Sequence, residues 1–143
     1  MSTPRVAVIG AGSWGTALVK LLSGTQESVG WWVRRQKTID HVEKYGHNPD
    51  YTTGAALDAR RLAMSTDLRA VVAAADVLVI AVPSAFLKAT LDQLPPDALH
   101  GKTCFSAVKG IVPETNQIVG DHLLHQWGVA KADLGIICGP CHA

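Results

Sequence analysis

The chain has 143 residues, of which 48% are hydrophobic and 17% are charged, and its formal net charge is +1 at pH 7. A chain of this size buries one ordinary core, so we expect residues 1–143 to form a single domain. No block of like charges is long enough to act as a nucleic-acid-binding arm, and no apolar run approaches the ~20 residues of a membrane span. The amino terminus lacks a secretory signal pattern, so the sequence favours a cytoplasmic protein.

Short apolar segments alternate with helix-length segments along the whole chain. The predicted strands are 5–10, 28–34, 61–66, 76–83, 102–109 and 134–139. The predicted helices begin near Ser13 and span 36–45, 67–75, 85–94 and 113–127, with Ser65 or Thr66 capping the 67–75 helix and Pro113 in the first turn of the last. Strands separated by helices pair in parallel through right-handed crossovers. The sequence therefore predicts an α/β fold, a doubly wound, Rossmann-like parallel sheet of about six strands with helices on both faces.

A glycine-rich turn joins the first strand to the first helix in VAVIGAGSWGTAL. Gly10, Gly12 and Gly15 form the pattern G-x-G-x-x-G in the strand-to-helix context that makes it informative. We expect Gly10 to permit a tight turn, Gly12 to let a pyrophosphate approach the backbone, and Gly15 to bring helix and strand close together. The alternative is a glycine-rich turn that binds nothing, which this position disfavours. The motif predicts a dinucleotide on the helix N-terminus.

The end of the second strand carries two arginines rather than an acid. In an NAD-binding domain, the ribose 2′-OH is usually bound by an Asp or Glu about 20 residues beyond the glycines. The sequence offers WWVRRQ there, and Arg34 and Arg35 can bind a 2′-phosphate through charge-assisted hydrogen bonds. NADP is therefore slightly favoured over NAD. An exposed basic pair without a ligand is the alternative.

Three predicted strands end in small or charged residues. Pro83-Ser84, Lys109-Gly110 and Gly139-Pro140 follow the fourth, fifth and sixth strands, so we expect them along the carboxyl edge of the sheet, where doubly wound folds bind ligands. The Lys109 ammonium can neutralise a carbonyl, phosphate or hydroxyl of a substrate lying over the nicotinamide. A solvated loop lysine is the alternative.

The segment IICGPCHA admits four chemistries for Cys138 and Cys141: a redox dithiol, a haem attachment site, half of a zinc site, or incidental cysteines in a loop. A reactive dithiol favours a helix N-terminus, whereas Cys138 ends a predicted strand. Haem attachment requires export, and zinc requires four ligands that the sequence does not group. Incidental cysteines and no metal site are favoured. Trp31 and Trp32 are expected only to pack on opposite faces of a strand.

The segments VAVIGAGSWGTAL, WWVRR, NPDY, AVPSAF, AVKGI and GPCHA occur in the order and approximate spacing of one known family. Together they resemble the amino-terminal domain of NAD(P)-dependent glycerol-3-phosphate dehydrogenases, over essentially the whole chain. The resemblance implies reversible hydride transfer between NAD(P)H and dihydroxyacetone phosphate, giving sn-glycerol 3-phosphate for phospholipid synthesis. It also implies a homodimer in the full-length enzyme.

The resemblance assigns residues as well. It implies cofactor contacts from Ser13, Trp14, Arg34, Phe86, Lys109 and Ala143, and substrate contacts from Lys109, Gly139 and Cys141. The chain departs from the family at Cys141, where Ser or Thr is usual, and a thiol is a poorer hydrogen-bonding group than a hydroxyl.

The resemblance further implies a second, helical domain after the G-P-x-x-A motif. That domain would supply the lysine that exchanges a proton with the substrate, and the residues that hold its phosphate. The sequence ends at Ala143, so we expect no catalytic residue and little turnover from these residues alone. A stand-alone dinucleotide sensor and a thiol-redox protein using Cys138 and Cys141 remain the alternatives.

Overall fold

The computed structural model describes residues 2–138 and contains a parallel sheet flanked by helices. The strands are β1 Val6–Ile9, β2 Val29–Trp32, β3 Leu62–Ser65, β4 Val77–Ile80, β5 Thr103–Ser106, β6 Ile111–Val112, β7 Gln117–Ile118 and β8 Leu134–Ile136. The helices are α1 Ser13–Ser23, α2 Gln36–Tyr45, α3 Leu68–Ala74, α4 Ser84–Leu91 and α5 Val119–Trp127, with 3-10 turns at Ala59–Arg61 and Lys131–Asp133. None of the helices in the described part of the chain has the length and apolarity needed to cross a bilayer.

The main sheet has six strands in the order β3-β2-β1-β4-β5-β8, and every pair is parallel. The chain proceeds outward from β1 through β2 to β3, and then outward on the other side from β4 through β5 to β8. This reversal between β1 and β4 is the topological switch point of a doubly wound fold. The predicted fold class and strand number are confirmed.

The sheet is buried on both faces, which explains why its strands are apolar throughout. Trp31 belongs to the cluster on one face together with Val8 and Val79, and Trp32 belongs to the cluster on the other face together with Ile9 and Ile80. The expectation that the two indoles pack on opposite faces is confirmed. Each apolar cluster is completed by helices, so the core consists of two layers around the central strands.

The prediction of one helix over 113–127 is wrong. Ile111–Val112 and Gln117–Ile118 pair as an antiparallel hairpin, and α5 begins only at Val119. Asn116 has a φ of 52°, a left-handed conformation that a helix interior does not contain. Pro113 suits a turn as well as a first helical turn, and Asn tolerates the left-handed region, so the segment closes a hairpin instead.

The predicted cap of α3 at Ser65 or Thr66 is also wrong. Asp67 is the N-cap, and its carboxylate accepts a hydrogen bond from the Ala70 N–H at 3.2 Å. The Ser65 hydroxyl oxygen accepts from the Asp67 N–H at 3.0 Å and so shapes the turn that precedes the cap. The described strands are also shorter than predicted, because pairing stops where the chain turns away from the sheet.

Candidate cofactor site

A cavity of about 210 Å³ opens at the carboxyl edge of the sheet, where the strand order reverses. This is the position at which doubly wound folds bind ligands. Four segments of the chain line it: the glycine loop (Gly10, Ala11, Gly12), the end of β2 with the start of α2 (Trp32, Val33, Arg34, Arg35, Thr38), the loop after α2 (Asn48, Asp50, Tyr51), and the end of β4 with α4 (Ala81, Val82, Pro83, Phe86, Thr90).

The three glycines of the motif have different surroundings. Gly10 has a φ of 120°, and an added Cβ would lie 2.6 Å from the Ala81 carbonyl oxygen. A Cβ at Gly15 would overlap the carbonyl oxygen of Gly10. Gly12 is the N-cap of α1, and an added Cβ would meet nothing within 4 Å. Gly10 and Gly15 thus serve close packing, while Gly12 is the glycine that faces open space.

Both backbone polar groups of Gly10 form hydrogen bonds to residues of β2. The Gly10 N–H donates to the Trp32 carbonyl at 3.2 Å, and the Gly10 carbonyl accepts from the Trp31 indole N–H at 2.8 Å. Sequence reasoning gave Trp31 a packing role only, and that assignment is too narrow. The indole N–H is buried and finds its partner in the loop, as buried tryptophans do.

Asn48 was missed as a site residue. Its side chain is fully buried, donates to the Ala11 carbonyl at 3.0 Å and to Thr16 Oγ1 at 2.9 Å, and accepts from the N–H groups of Asp50 and Tyr51. The sequence signals a turn, because Asn in Asn-Pro-Asp commonly bonds the backbone two residues on. It does not signal the partners, which lie 37 and 32 residues away.

Arg34 and Arg35 both line the cavity and are exposed. Neither guanidinium forms an ion pair within residues 2–138, so both are available to an anion. Arg35 also precedes α2, whose positive N-terminal end adds to the field there. Asp50 lines the same cavity, and sequence spacing missed it because it lies in a loop rather than at the end of β2.

The remaining predicted contacts divide into two groups. Phe86 lines the cavity and is 57% exposed, as a residue available to a ligand would be. Ser13, Trp14, Gly15 and Lys109 are not part of the cavity lining. Lys109 is exposed and lies beyond the end of β5 at Ser106, next to Gly110, whose φ is 82°. The structure therefore brings Lys109 to the same edge of the sheet without placing it in this cavity.

The predicted sites at the end of the chain, Gly139, Cys141 and Ala143, lie outside the described residues. Cys138 is exposed and lies two residues beyond the end of β8 at Ile136, so the predicted strand over 134–139 stops before it. Burial raises the pKa of the Cys104 thiol to about 11, which keeps that thiol protonated at neutral pH. Within residues 2–138, no three or more His, Cys, Asp or Glu side chains are grouped to hold a metal ion.

Comparison with known proteins identifies the family. The family model described as NAD-dependent glycerol-3-phosphate dehydrogenase N-terminus matches residues 5–143. The chain belongs to this family. A glycerol-3-phosphate dehydrogenase [NAD(P)+] 2 from Mycobacterium bovis is 33% identical over 135 residues, covering 94% of this chain and 40% of that protein. The corresponding protein from Salinibacter ruber is 33% identical over 144 residues, covering 100% and 41%.

Solved structures of glycerol-3-phosphate dehydrogenases share the fold. The enzyme from Coxiella burnetii superimposes with a TM-score of 0.81 at 22% identity, over 98% of this chain and 42% of that one. The Dunaliella salina protein gives a TM-score of 0.83 at 20% identity, over 100% and 27%. The glycerol-3-phosphate dehydrogenase relatives are thus much longer, and the chain spans 40% to 41% of the two curated relatives above. No comparison supports the stand-alone sensor or the thiol-redox alternative.

Proposed function

We propose that residues 1–143 form the dinucleotide-binding domain of a glycerol-3-phosphate dehydrogenase and that the cavity at the carboxyl edge binds NAD(P)H. One observation carries the proposal: Gly10, at a φ of 120°, turns the chain at the switch point of the sheet and leaves Gly12 beside the cavity with open space at its Cα. A glycine loop followed at once by an α-helix N-terminus suits phosphate groups. The names of the relatives include NAD(P)+, which agrees with this ligand.

The proposed contacts are assigned to three parts of the cofactor: the adenosine, the phosphates and the nicotinamide. Arg34 and Arg35 would hold the adenosine ribose or its 2′-phosphate, so NADP(H) is slightly favoured over NAD(H). The phosphates would lie against the start of α1, at Gly10, Gly12, Ser13, Trp14 and Gly15. The nicotinamide side would be contacted by Phe86, Lys109 and Ala143. When bound, the reduced cofactor supplies a hydride for reduction of a carbonyl.

For the whole enzyme, we propose that dihydroxyacetone phosphate is reduced reversibly to sn-glycerol 3-phosphate for phospholipid synthesis. Lys109, Gly139 and Cys141 would lie on the substrate side, where the Lys109 ammonium neutralises charge on the substrate oxygen or phosphate. The names of the relatives support this reaction. A cytoplasmic location and a homodimer of the full-length enzyme complete the proposal, and both derive from the sequence pattern and the family resemblance.

We also propose that the proton-exchanging lysine is not among residues 1–143. Lys109 does not line the cavity that the described residues form, and the family resemblance implies that the proton-exchanging lysine belongs to the helical domain that follows the G-P-x-x-A motif. A polypeptide of these residues should therefore bind cofactor and turn over very slowly. Reduction of dihydroxyacetone phosphate at ordinary enzyme rates by that polypeptide would contradict this part of the proposal.

The deciding experiment is a titration of the purified protein with NADPH and with NADH, followed by tryptophan fluorescence. Trp14 lies beside the glycine loop and should report binding. Saturable binding that is tighter for NADPH would support both the site and the role of the arginines. Tighter NADH would retain the site but contradict the 2′-phosphate assignment, and binding of neither cofactor would contradict the proposal.

A further inference from the structure

The loop after α2 is tied to the glycine loop through one buried side chain. An asparagine side chain offers two N–H donors and an oxygen with two lone pairs. Asn48 uses all of them: Nδ2 donates to the Ala11 carbonyl and to Thr16 Oγ1, and Oδ1 accepts from Asp50 N–H at 2.9 Å and Tyr51 N–H at 3.2 Å. Because Asn48 is fully buried, the loss of any partner would leave a polar group that water cannot reach and that has no hydrogen bond, which costs stability.

A second tie lies four residues further along. The Thr52 hydroxyl donates to the Ser13 carbonyl at 3.2 Å. Thr52 has a φ of 51°, which is unusual for a β-branched residue and costs free energy that surrounding contacts must offset. The strained backbone places the hydroxyl against the start of α1. The 48–52 loop thus holds two carbonyl groups of the segment that precedes and begins α1.

Holding a carbonyl also orients the next N–H. In a trans peptide the C=O and the N–H of the following residue point in opposite directions. The bond from Asn48 to the Ala11 carbonyl therefore turns the Gly12 N–H away from Asn48, and the bond from Thr52 turns the Trp14 N–H away from the 48–52 loop. These N–H groups are among those that the N-terminus of α1 presents to an anion.

We propose that Asn48 is a positioning residue for the cofactor site, because it sets the orientation of the Ala11–Gly12 peptide against which the cofactor phosphates lie. This inference rests on the proposed function. The same side chain holds the N–H groups of Asp50 and Tyr51, and both of these residues line the cavity. Asn48 thereby places two walls of the cavity relative to each other, while its own polar atoms are all bonded within the protein.

The test compares Asn48→Asp and Asn48→Ala with the unaltered protein, by calorimetric titration with NADPH and NADH from pH 5 to pH 8. In Asn48→Asp at pH 8 a carboxylate oxygen faces the Ala11 carbonyl, so we expect both cofactors to bind about tenfold more weakly or worse. Burial raises a carboxyl pKa, and the protonated acid regains one donor, so the loss should shrink as the pH falls. Asn48→Ala should lose affinity to a similar extent at every pH.

Thr52→Val keeps the inference testable if the Asn48 variants do not fold. Valine keeps the β-branching of Thr52 and replaces its hydroxyl with a methyl group of similar size, so the melting temperature should hardly change while both cofactors bind severalfold more weakly. The inference is overturned if the unaltered protein binds cofactor and the folded variants bind it with the same affinity. It is also overturned if Asn48→Asp alone weakens binding, because charge repulsion would then explain the effect. Absence of binding by the unaltered protein would instead refute the proposed function, and this inference with it.

Discussion

Two buried polar side chains lie in regions with opposite characters. Asn48, between the glycine loop and the loop after α2, has every hydrogen-bonding group paired. His122, on α5 beside the β6–β7 hairpin, is 2% exposed, and neither ring nitrogen has a hydrogen-bond partner among the described residues. Thr115 Oγ1 and Gln117 Oε1, in the hairpin itself, are likewise buried without a partner there.

The contrast distinguishes the loop that carries Asn48, which is held in one conformation, from the region around His122, whose stability depends on pH. A satisfied buried network defines a single conformation, because every alternative leaves a polar group unpaired. Burial without a hydrogen-bond partner disfavours the protonated form of an imidazole, so the stability of the region around it depends on pH. The loop that carries Asn48 is of the first kind, and the hairpin that follows Lys109 is of the second kind.

The largest effect should come from the pair Gly10→Ala and Gly12→Ala. A Cβ at Gly10 would lie 2.6 Å from the Ala81 carbonyl oxygen, and the φ of this position is unfavourable for alanine. We therefore expect Gly10→Ala to lose about 2–4 kcal/mol of folding stability and also to lose cofactor binding. Gly12→Ala has open space and a φ of −75°, so it should fold normally yet bind cofactor poorly. Thermal melts and cofactor titrations on both variants measure this. Normal cofactor affinity in Gly12→Ala would show that this glycine does not face the ligand.

Removal of the arginines should have the next largest effect. A charge-assisted hydrogen bond to a phosphate contributes about 1.5–3 kcal/mol, so Arg34→Ala and Arg35→Ala should weaken NADPH binding by roughly tenfold to a hundredfold. NADH binding should change much less, because NADH lacks the 2′-phosphate. Lys37→Ala is the matched control, since Lys37 is exposed on α2 outside the cavity lining. An equal loss for both cofactors would contradict the assignment.

His122 should make stability depend on pH. Burial, and then the Lys88 ammonium, lower the pKa of His122 below its ordinary 6.5, whereas Asp92 and Glu114 oppose the shift. The unfolded chain therefore binds this proton more readily, so the free energy of unfolding should be highest above about pH 6.5 and should fall as the pH drops below it. Urea unfolding of the protein and of His122→Leu between pH 5 and pH 8 measures this.

In His122→Leu, the free energy of unfolding should lack this part of its dependence on pH. His125→Leu, at an exposed position of the same helix, should keep it. Equal slopes in the protein and in His122→Leu would refute the role given to His122.

The smallest effect should come from Asn116→Gly in the hairpin turn. Asn116 and Thr52 have nearly the same positive φ, 52° and 51°, but of the two only Thr52 has a side chain bonded to another element, at the Ser13 carbonyl in the first turn of α1. Asparagine tolerates this conformation and glycine prefers it, so Asn116→Gly should change stability by about 0.5 kcal/mol or less and leave cofactor affinity unchanged. Thr52→Gly should relieve strain and still weaken cofactor binding. If both glycine variants bind cofactor normally, the distinction between the two turns is wrong.

Sequence patterns predicted the strands of the main sheet well, and they predicted the segment after β5 badly. Buried parallel strands are apolar along their whole length, and such runs are legible in a single sequence. The segment 113–118 contains a proline and an asparagine that suit a helix start or a turn equally, and the choice depended on pairing between Ile111–Val112 and Gln117–Ile118. Pairing of this kind is a property of the folded chain.

The candidate site shows the same division. Gly10, Gly12, Arg34, Arg35 and Phe86 were predicted from motifs, and the structure brings them to one cavity. Asn48, Asp50 and Tyr51 were missed, because a loop after a helix has no fixed spacing from the strand ends that it joins. Trp31 was recognised as buried, but its hydrogen bond to the Gly10 carbonyl depended on the close approach of β1 and β2.

By itself the sequence determined the features that rest on local sterics and hydrophobicity: the glycine turn that only residues without a Cβ can make, the apolar strands, the family and the absence of an acid at the end of β2. The tertiary structure alone decided which carbonyl each buried donor reaches, as with Asn48 and Ala11 at a separation of 37 residues. The physical reason is that sterics act within a few residues, whereas the partner of a buried polar group is chosen by whatever the fold brings within hydrogen-bonding distance.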